Sequence, residues 1–327
     1  MAEAGPKIKE IRTLRDQLIE QTLRTPVMRC ASIESRLNND TQVLAKLEFL
    51  QRTGTFKARG ALATLKSLSA DDHRNGVTAV SAGNHAIATA FAAQATGTTA
   101  KVVMIRTANP SRVAACQSYG AEIVMADDVH QAFELAHEIR DREGRIFIHP
   151  FEGASVALGT GTVGLEVCEQ VDEFDAIVIP VGGGGLIAGI SNAVKQLRPN
   201  VEVIGVEPEG ADSMHRSFAS GEPESIEKVM TIADSLGAPF ALPYSFELAH
   251  NNVDRLVMVD DSQIREAMGF LFNSMNIAVE PACATSTAAL LGPLRDSLQD
   301  KRVVLIMCGS NIDWATFSQQ ADFDVVN

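Results

Sequence analysis

Short apolar runs that alternate with longer stretches of helical spacing constrain this chain more than any other feature. The runs fall near 43–48, 77–81, 101–105, 121–126, 146–149, 175–181, 202–206, 254–259 and 302–308. Helical patterns fall near 57–68, 84–96, 110–119, 129–142, 159–172, 184–197, 211–219, 261–273 and 284–298. Strands separated by helices cannot pair as hairpins, so they are expected to lie parallel, with helices on both faces of each sheet. The expected class is therefore α/β. Ile8, Ile11, Leu14 and Leu18 add an amphipathic helix over 7–22, stopped before Thr25-Pro26 because the residue before proline avoids helical conformation. There is no internal repeat and no flexible linker, and 327 residues suffice for two lobes.

One of these strand-to-helix junctions has a chemical signature. Val178-Ile179-Pro180-Val181 runs into Gly182-Gly183-Gly184-Gly185-Leu186. Glycines let a ligand approach the backbone, and a following helix presents its free N–H groups and positive end, which suits a phosphate. The loop has neither a P-loop lysine nor G-x-G-x-x-G spacing, so nucleotide readings are disfavoured, and a purely structural turn remains the alternative. The phosphate must be held locally, because a formal net charge of −13 disfavours nucleic acid or an anionic membrane as partner. The apolar stretch 176–190 is broken by Pro180 and the glycines and cannot span a bilayer. With a charged N-terminus at Lys7-Ile8-Lys9-Glu10, the expectation is a cytoplasmic protein. Cys30, Cys116, Cys168, Cys283 and Cys308 are scattered without ligand spacing, which argues against a disulfide framework or a zinc site.

A second junction, Gln51-Arg52-Thr53-Gly54-Thr55-Phe56-Lys57-Ala58-Arg59-Gly60, puts a lysine where a strand gives way to a helix, with Thr53 and Thr55 available as caps. A helix N-terminus disfavours an ammonium, so the Lys57 amine should be a better nucleophile than an ordinary lysine. A surface lysine in a Gly/Thr turn is the plain alternative. At a third junction, Ser81-Ala82-Gly83-Asn84-His85 ends a strand and opens an alanine-rich helix, again with free amides or, more simply, a Ser/Asn cap.

These three stretches, in this order, resemble the fold-type II pyridoxal 5'-phosphate enzymes of the threonine/serine dehydratase and serine racemase family. The resemblance implies a two-lobed, tryptophan synthase β-like fold, each lobe a parallel-type sheet flanked by helices. Residues 1–71 and 153–327 would form the large cofactor-binding lobe, and 72–152 the small substrate-side lobe. It further implies that Lys57 is the Schiff-base lysine and general base, that Phe56 packs on the cofactor ring, and that Gly182, Gly183, Gly184, Gly185 and Leu186 hold the phosphate. Asn84 would bond the ring's 3'-oxygen, Glu280 would sit at the inner end of the site, and Cys308 would face the pyridine nitrogen. A helix-start carboxylate and a buried strand-end thiol are the alternatives for the last two. Ser81, Ala82, Gly83, Asn84 and His85 would hold the substrate carboxylate. Glu207, with Ser213 and the Ala211 carbonyl, matches a divalent-metal site of several relatives, for Mg2+ or another divalent cation, with Asp212 as the alternative ligand.

The same resemblance bears on the reaction. Serine racemase has a second serine after the first, which protonates the opposite face; here that residue is Ala82, so elimination to a 2-oxo acid and ammonia is expected. The substrate would be a 3-hydroxy amino acid of the L-threonine/L-serine type, with 3-hydroxyaspartate as another candidate because Ser235 and Ala238 depart from the usual substrate loop. Racemisation, β-replacement and a non-catalytic binding module are the competing readings. A homodimer is expected by analogy.

Overall fold

The computed structural model describes residues 4–324. Two sheets carry the fold. Strands β1 (Val27–Arg29), β2 (Gln42–Leu47), β7 (Ala176–Pro180), β8 (Glu202–Pro208), β9 (Arg255–Val259) and β10 (Arg302–Met307) form one sheet in the order β1-β2-β10-β7-β8-β9. Strands β3 (Val77–Val80), β4 (Ala100–Ile105), β5 (Glu122–Ala126) and β6 (Ile146–Phe147) form the other in the order β5-β4-β3-β6. Every pairing is parallel except β1 with β2.

Parallel strands covered by helices on both faces read as unbroken apolar runs. Ala176-Ile177-Val178-Ile179-Pro180 is buried at every position, and Val303 to Met307 likewise. These strands and the helices Gly185–Leu197, Asp261–Met275 and Pro281–Leu291 pack into one large apolar core.

The structure adjusts several expected bounds. The helix expected over 7–22 is Ile8–Gln17, and that expected from 159 starts at Ala154. The helix expected over 284–298 is Pro281–Leu291. Its small residues are nearly all buried, so no polar face marks its limits. β1 and the helices Ala31–Leu37, Ala70–Asn75 and Trp314–Gln320 are too short for periodicity to reveal. Pro243–Asn252 is a further helix, with proline at its first position.

Beneath the second junction lies a buried charge network. Arg59 donates to Glu48 at 2.8 and 2.9 Å and to Glu166 at 2.7 and 2.9 Å. Lys46 donates to Glu166 at 2.5 Å and to the Thr25 carbonyl at 2.8 Å. Two cations face two carboxylates, and further bonds to Thr162, Gln170 and Leu23 satisfy the remaining donors. This ties the helix Lys57–Lys66 to β2 and to the helix Ala154–Gln170, which fixes the point from which Lys57 projects.

Candidate active site

Ligands of open parallel sheets sit beyond the carboxyl ends of the strands. Such ends from both sheets meet here across one cleft of about 900 Å³. Lys57 reaches it after β2, Ser81–His85 follow β3, Thr107–Asn109 follow β4, and His149–Phe151 follow β6. Gly183 follows β7 and Asn311–Asp313 follow β10.

Lys57 opens the helix Lys57–Lys66, and its backbone N–H donates to Thr55 Oγ1 at 3.0 Å. Nζ lies 5.2 Å from the centre of the Phe56 ring and donates to the Pro150 carbonyl at 2.7 Å. Burial holds the ammonium down to about 8, with nearby Glu280 opposing. The amine is thus activated chiefly by desolvation, rather than by the helix end that the sequence suggested. Phe56 is fixed in turn by its N–H, which donates to the Cys308 carbonyl at 3.2 Å.

Across the cleft, the helix Asn84–Thr96 begins at Gly83 with no side chain capping it. Ser81 Oγ accepts from the Gly83 N–H at 3.1 Å and keeps its own proton to donate. Ala82 lines the cleft. His85 is buried and donates from Nε2 to the Ile148 carbonyl at 2.9 Å; burial and then Lys57 lower it to about 3, so the ring is neutral.

Asn84 is the hub of a polar chain. Nδ2 donates to Glu280 at 2.8 and 3.0 Å and to Ser235 Oγ at 3.3 Å, while Oδ1 accepts from Asn311 Nδ2 at 2.8 Å. Glu280 begins the helix Pro281–Leu291 but does not cap it with its side chain. Burial raises its pKa, and the Asn84 bond opposes this. Cys308 is buried beside Cys283, which together with burial pushes its thiol well above the ordinary value. A neutral thiol therefore stands at that position.

The glycine loop starts the helix Gly185–Leu197, also uncapped by any side chain. Gly184 has φ +89°, a conformation that suits glycine, and a Cβ on Gly183 would fall 2.4 Å from the Phe151 ring. Gly183 faces the cleft, and Gly185 faces a recess shared with Lys57 and Phe56. The Leu186 side chain is in the core, so only its backbone is available to a ligand.

The residues expected at a metal have other partners in the fold. Glu207 is fully buried and accepts from the Met214 and His215 amides at 2.9 and 2.6 Å. Ser213 Oγ donates to the Ala238 carbonyl at 3.1 Å, the Ala211 side chain is buried, and Asp212 pairs with Arg216 at 3.0 Å. No group of three or more His, Cys, Asp or Glu able to hold a metal occurs among the described residues.

Sequence reasoning missed His149, Pro150, Phe151, Arg112 and Asn311. His149 Nδ1 accepts the Phe151 and Glu152 amides at 3.3 and 3.0 Å, and burial and Lys57 lower it to about 4, so its proton resides on Nε2. The rule that ligands lie beyond strand ends, applied to the run 146–149, would have pointed to this segment.

A buried amine of lowered pKa, an adjoining aromatic ring and a glycine cradle at an uncapped helix start fit a pyridoxal phosphate. The chain matches the family described as pyridoxal-phosphate dependent enzyme over residues 19–309. It is 51% identical over 314 residues to phenylserine dehydratase of Ralstonia pickettii, covering 96% of each chain. It is 37% identical over 298 residues to L-threonine ammonia-lyase of Thermotoga maritima, covering 90% of this chain and 74% of the relative. The solved structure of maize serine racemase superposes with a TM-score of 0.91 at 33% identity, covering 97% of each chain. Cleft and similarity agree: this chain belongs to the pyridoxal-phosphate dependent enzyme family.

Proposed function

We propose that this protein is a hydroxy-amino-acid dehydratase, removing water from a 3-hydroxy amino acid to leave a 2-oxo acid and ammonia. The observation that carries the reading is the pairing, across one cleft, of the buried Lys57 amine with a loop whose residue after Ser81 is Ala82. The similarity to the dehydratase of Ralstonia pickettii supports it.

When bound, pyridoxal phosphate supplies the electron sink that makes an α-proton removable. Lys57 would hold the cofactor and, as a neutral amine, would be the base for that proton. Ser81 and the amides at the start of the helix Asn84–Thr96 hold the carboxylate. Gly182 to Gly185, with the Leu186 amide, would hold the phosphate, and Phe56 would adjoin the ring. Glu280 fixes Asn84, whose amide is meant for the ring oxygen. The neutral Cys308 thiol offers the ring nitrogen no full negative charge. Ala82 carries no proton for the face opposite Lys57, so β-elimination outruns return of the proton with inversion.

The two-sheet arrangement supports a division into a lobe of residues 1–71 and 153–327 and a lobe of 72–152. Five free cysteines support a reducing, cytoplasmic location, and no described helix is long and apolar enough to cross a membrane. Exposed Ile19, Leu23 and Leu50 support a homodimer, which light scattering would test. The reading needs no divalent cation: one held by Glu207, Ser213 and the Ala211 carbonyl would have to displace two amides.

The test is to purify the protein, record its visible spectrum, and add L-threonine, L-serine or L-threo-3-hydroxyaspartate while measuring oxo acid and ammonia. The expected result is a lysine-bound cofactor band, lost in Lys57→Ala, with equal yields of oxo acid and ammonia. D-enantiomer without oxo acid would reverse the weight given to Ala82. No band after incubation with the cofactor would overturn the whole reading.

A further inference from the structure

His149 is held in one tautomer and one orientation by the turn that it begins. Its Nδ1 accepts the Phe151 and Glu152 amides at 3.3 and 3.0 Å, which confines the proton to Nε2. The ring stands edge to face on Phe151, with centres 4.6 Å apart at 86°, and lies 6.4 Å from Phe147 on its other side in the chain. The turn itself is pinned to the large sheet's side of the cleft. Glu152 accepts the Tyr244 and Ser245 amides at 2.7 and 3.1 Å, and Ser245 Oγ donates to the Phe151 carbonyl at 2.7 Å.

Nε2 is the end of the ring that this support leaves open. It has no partner among the described residues, and it is not one of the buried polar atoms without a partner. His149 is only partly buried and lines the cleft together with Lys57, so the Nε2 hydrogen faces that space. Lys57 Nζ donates at 2.7 Å to the carbonyl of Pro150, the next residue. Burial, and then the Lys57 charge, keep the imidazole neutral.

Other side-chain donors around Lys57 are engaged. Asn84 Nδ2 is on Glu280 and Ser235, and Asn311 Nδ2 is on the Thr53 carbonyl and Asn84. The Ser235 hydroxyl is on Asp234, and the Arg112 guanidinium is on Asp234 and the Asn311 carbonyl. In the dehydratase reading, Ser81 and the helix-start amides are taken by the substrate carboxylate, and the glycine loop by the phosphate. That leaves His149 for a hydroxyl on the β-carbon, one bond from the carbon that Lys57 would deprotonate. A donor aimed at an oxygen that gains charge as its bond breaks lowers the barrier, and a neutral imidazole can supply it.

We propose that His149 is a further catalytic residue, whose Nε2–H donates to the β-hydroxyl oxygen of the substrate as that oxygen leaves. The inference rests on the dehydratase reading. In this step the pair from the broken Cα–H bond ends in the Cα=Cβ bond, and the Cβ–O pair stays on oxygen. The proton taken by Lys57 passes to that oxygen, which departs as water, and His149 keeps its own proton.

The test measures oxo acid from L-serine and from β-chloro-L-alanine, whose chloride leaves without a proton. His149→Asn retains an acceptor for the two turn amides but has no donor at the Nε2 position, whereas His149→Gln puts an amide N–H near it. His149→Asn should lower kcat/KM for L-serine about 100-fold, the low end for losing a donor aimed at developing charge, and that for β-chloro-L-alanine less than about threefold. His149→Gln should recover about tenfold of the loss. The cofactor's absorption band should be the same in all three proteins, and nitrogen NMR of labelled apoenzyme should find the proton on Nε2. If His149→Asn does not fold, the ratio of the two substrates in His149→Gln and the tautomer decide. An equal fall for both substrates would mean that His149 only shapes the turn and would overturn the proposal, as would unchanged L-serine turnover or a proton on Nδ1. Oxo acid from the chloro analogue but from no 3-hydroxy amino acid, in the unchanged protein, would refute the dehydratase reading and with it the hydroxyl that this donor needs.

Discussion

The lowered pKa of Lys57 makes a quantitative prediction about how the apoenzyme takes up its cofactor. Only a neutral amine attacks an aldehyde. With burial holding the group at about 8, roughly a tenth of the molecules have a neutral amine at pH 7. At the ordinary value of 10.5 the share would be about one in 3,000, so burial raises the reactive fraction about 300-fold. Stopped-flow absorbance after mixing apoenzyme with pyridoxal phosphate should give a capture rate that climbs about tenfold per pH unit below pH 8 and levels off above it. Stability follows the same titration. Between about 8 and 10.5 the unfolded chain holds a proton on this lysine that the folded chain has released, so apoenzyme stability rises with pH across that window. A capture rate that keeps climbing to the ordinary lysine value would refute the argument that burial sets this amine.

Three further outcomes follow from other parts of the structure. Arg59→Leu leaves Glu48 and Glu166 with only Lys46 for compensation and should cost about 3–5 kcal/mol in urea unfolding; a loss below about 1 kcal/mol would mean that water reaches the network. Ala82→Ser restores a hydroxyl to the face opposite Lys57, and chiral chromatography should then detect D-serine formed from L-serine. Its absence, in a variant that still eliminates water, would show that the position does not govern inversion. Chelation with EDTA should change neither melting temperature nor turnover, because both Glu207 oxygens already accept backbone amides; a loss restored by Mg2+ would contradict this.

The parallel sheets were legible because burial on both faces leaves a run such as Ala176 to Pro180 apolar throughout, and a longer helix with one buried face, such as Val129–Glu143, announces itself by its period. Lys57, the Ser81–His85 loop and the glycine loop were legible because each marks a strand-to-helix junction. Two kinds of feature were not. Elements such as Val27–Arg29 and Ala70–Asn75 are shorter than the windows in which a period shows. Residues such as Phe151 and Arg112 matter through what they meet in space: Phe151 lies under Gly183, and Arg112 bridges Asp234 and the Asn311 carbonyl. Nothing in local spacing encodes those meetings. The surroundings of Glu207 were hidden for a related reason, since a carboxylate at a strand end can serve a metal or a helix start, and its bonds to the Met214 and His215 amides come from the turn into Ser213–Ser220.

The polar chain through Asn84 makes one unit of the two sheets. Asn84 sits on the β3 side, yet its bonds run to Glu280, Ser235 and Asn311 on the other side. Arg112, also from the four-stranded side, reaches Asn311 and Asp234. Asn311 closes the circuit by donating to the Thr53 carbonyl, a few residues before Lys57. A buried amide must keep its partners or lose the full cost of desolvation. Any motion that opened the cleft at β3 would therefore break the bonds that orient Asn84 and the segment carrying Lys57 together. Asn84, proposed to meet the cofactor, and the segment that carries Lys57, proposed to do the chemistry, are thus held in register by one shared side chain, Asn311.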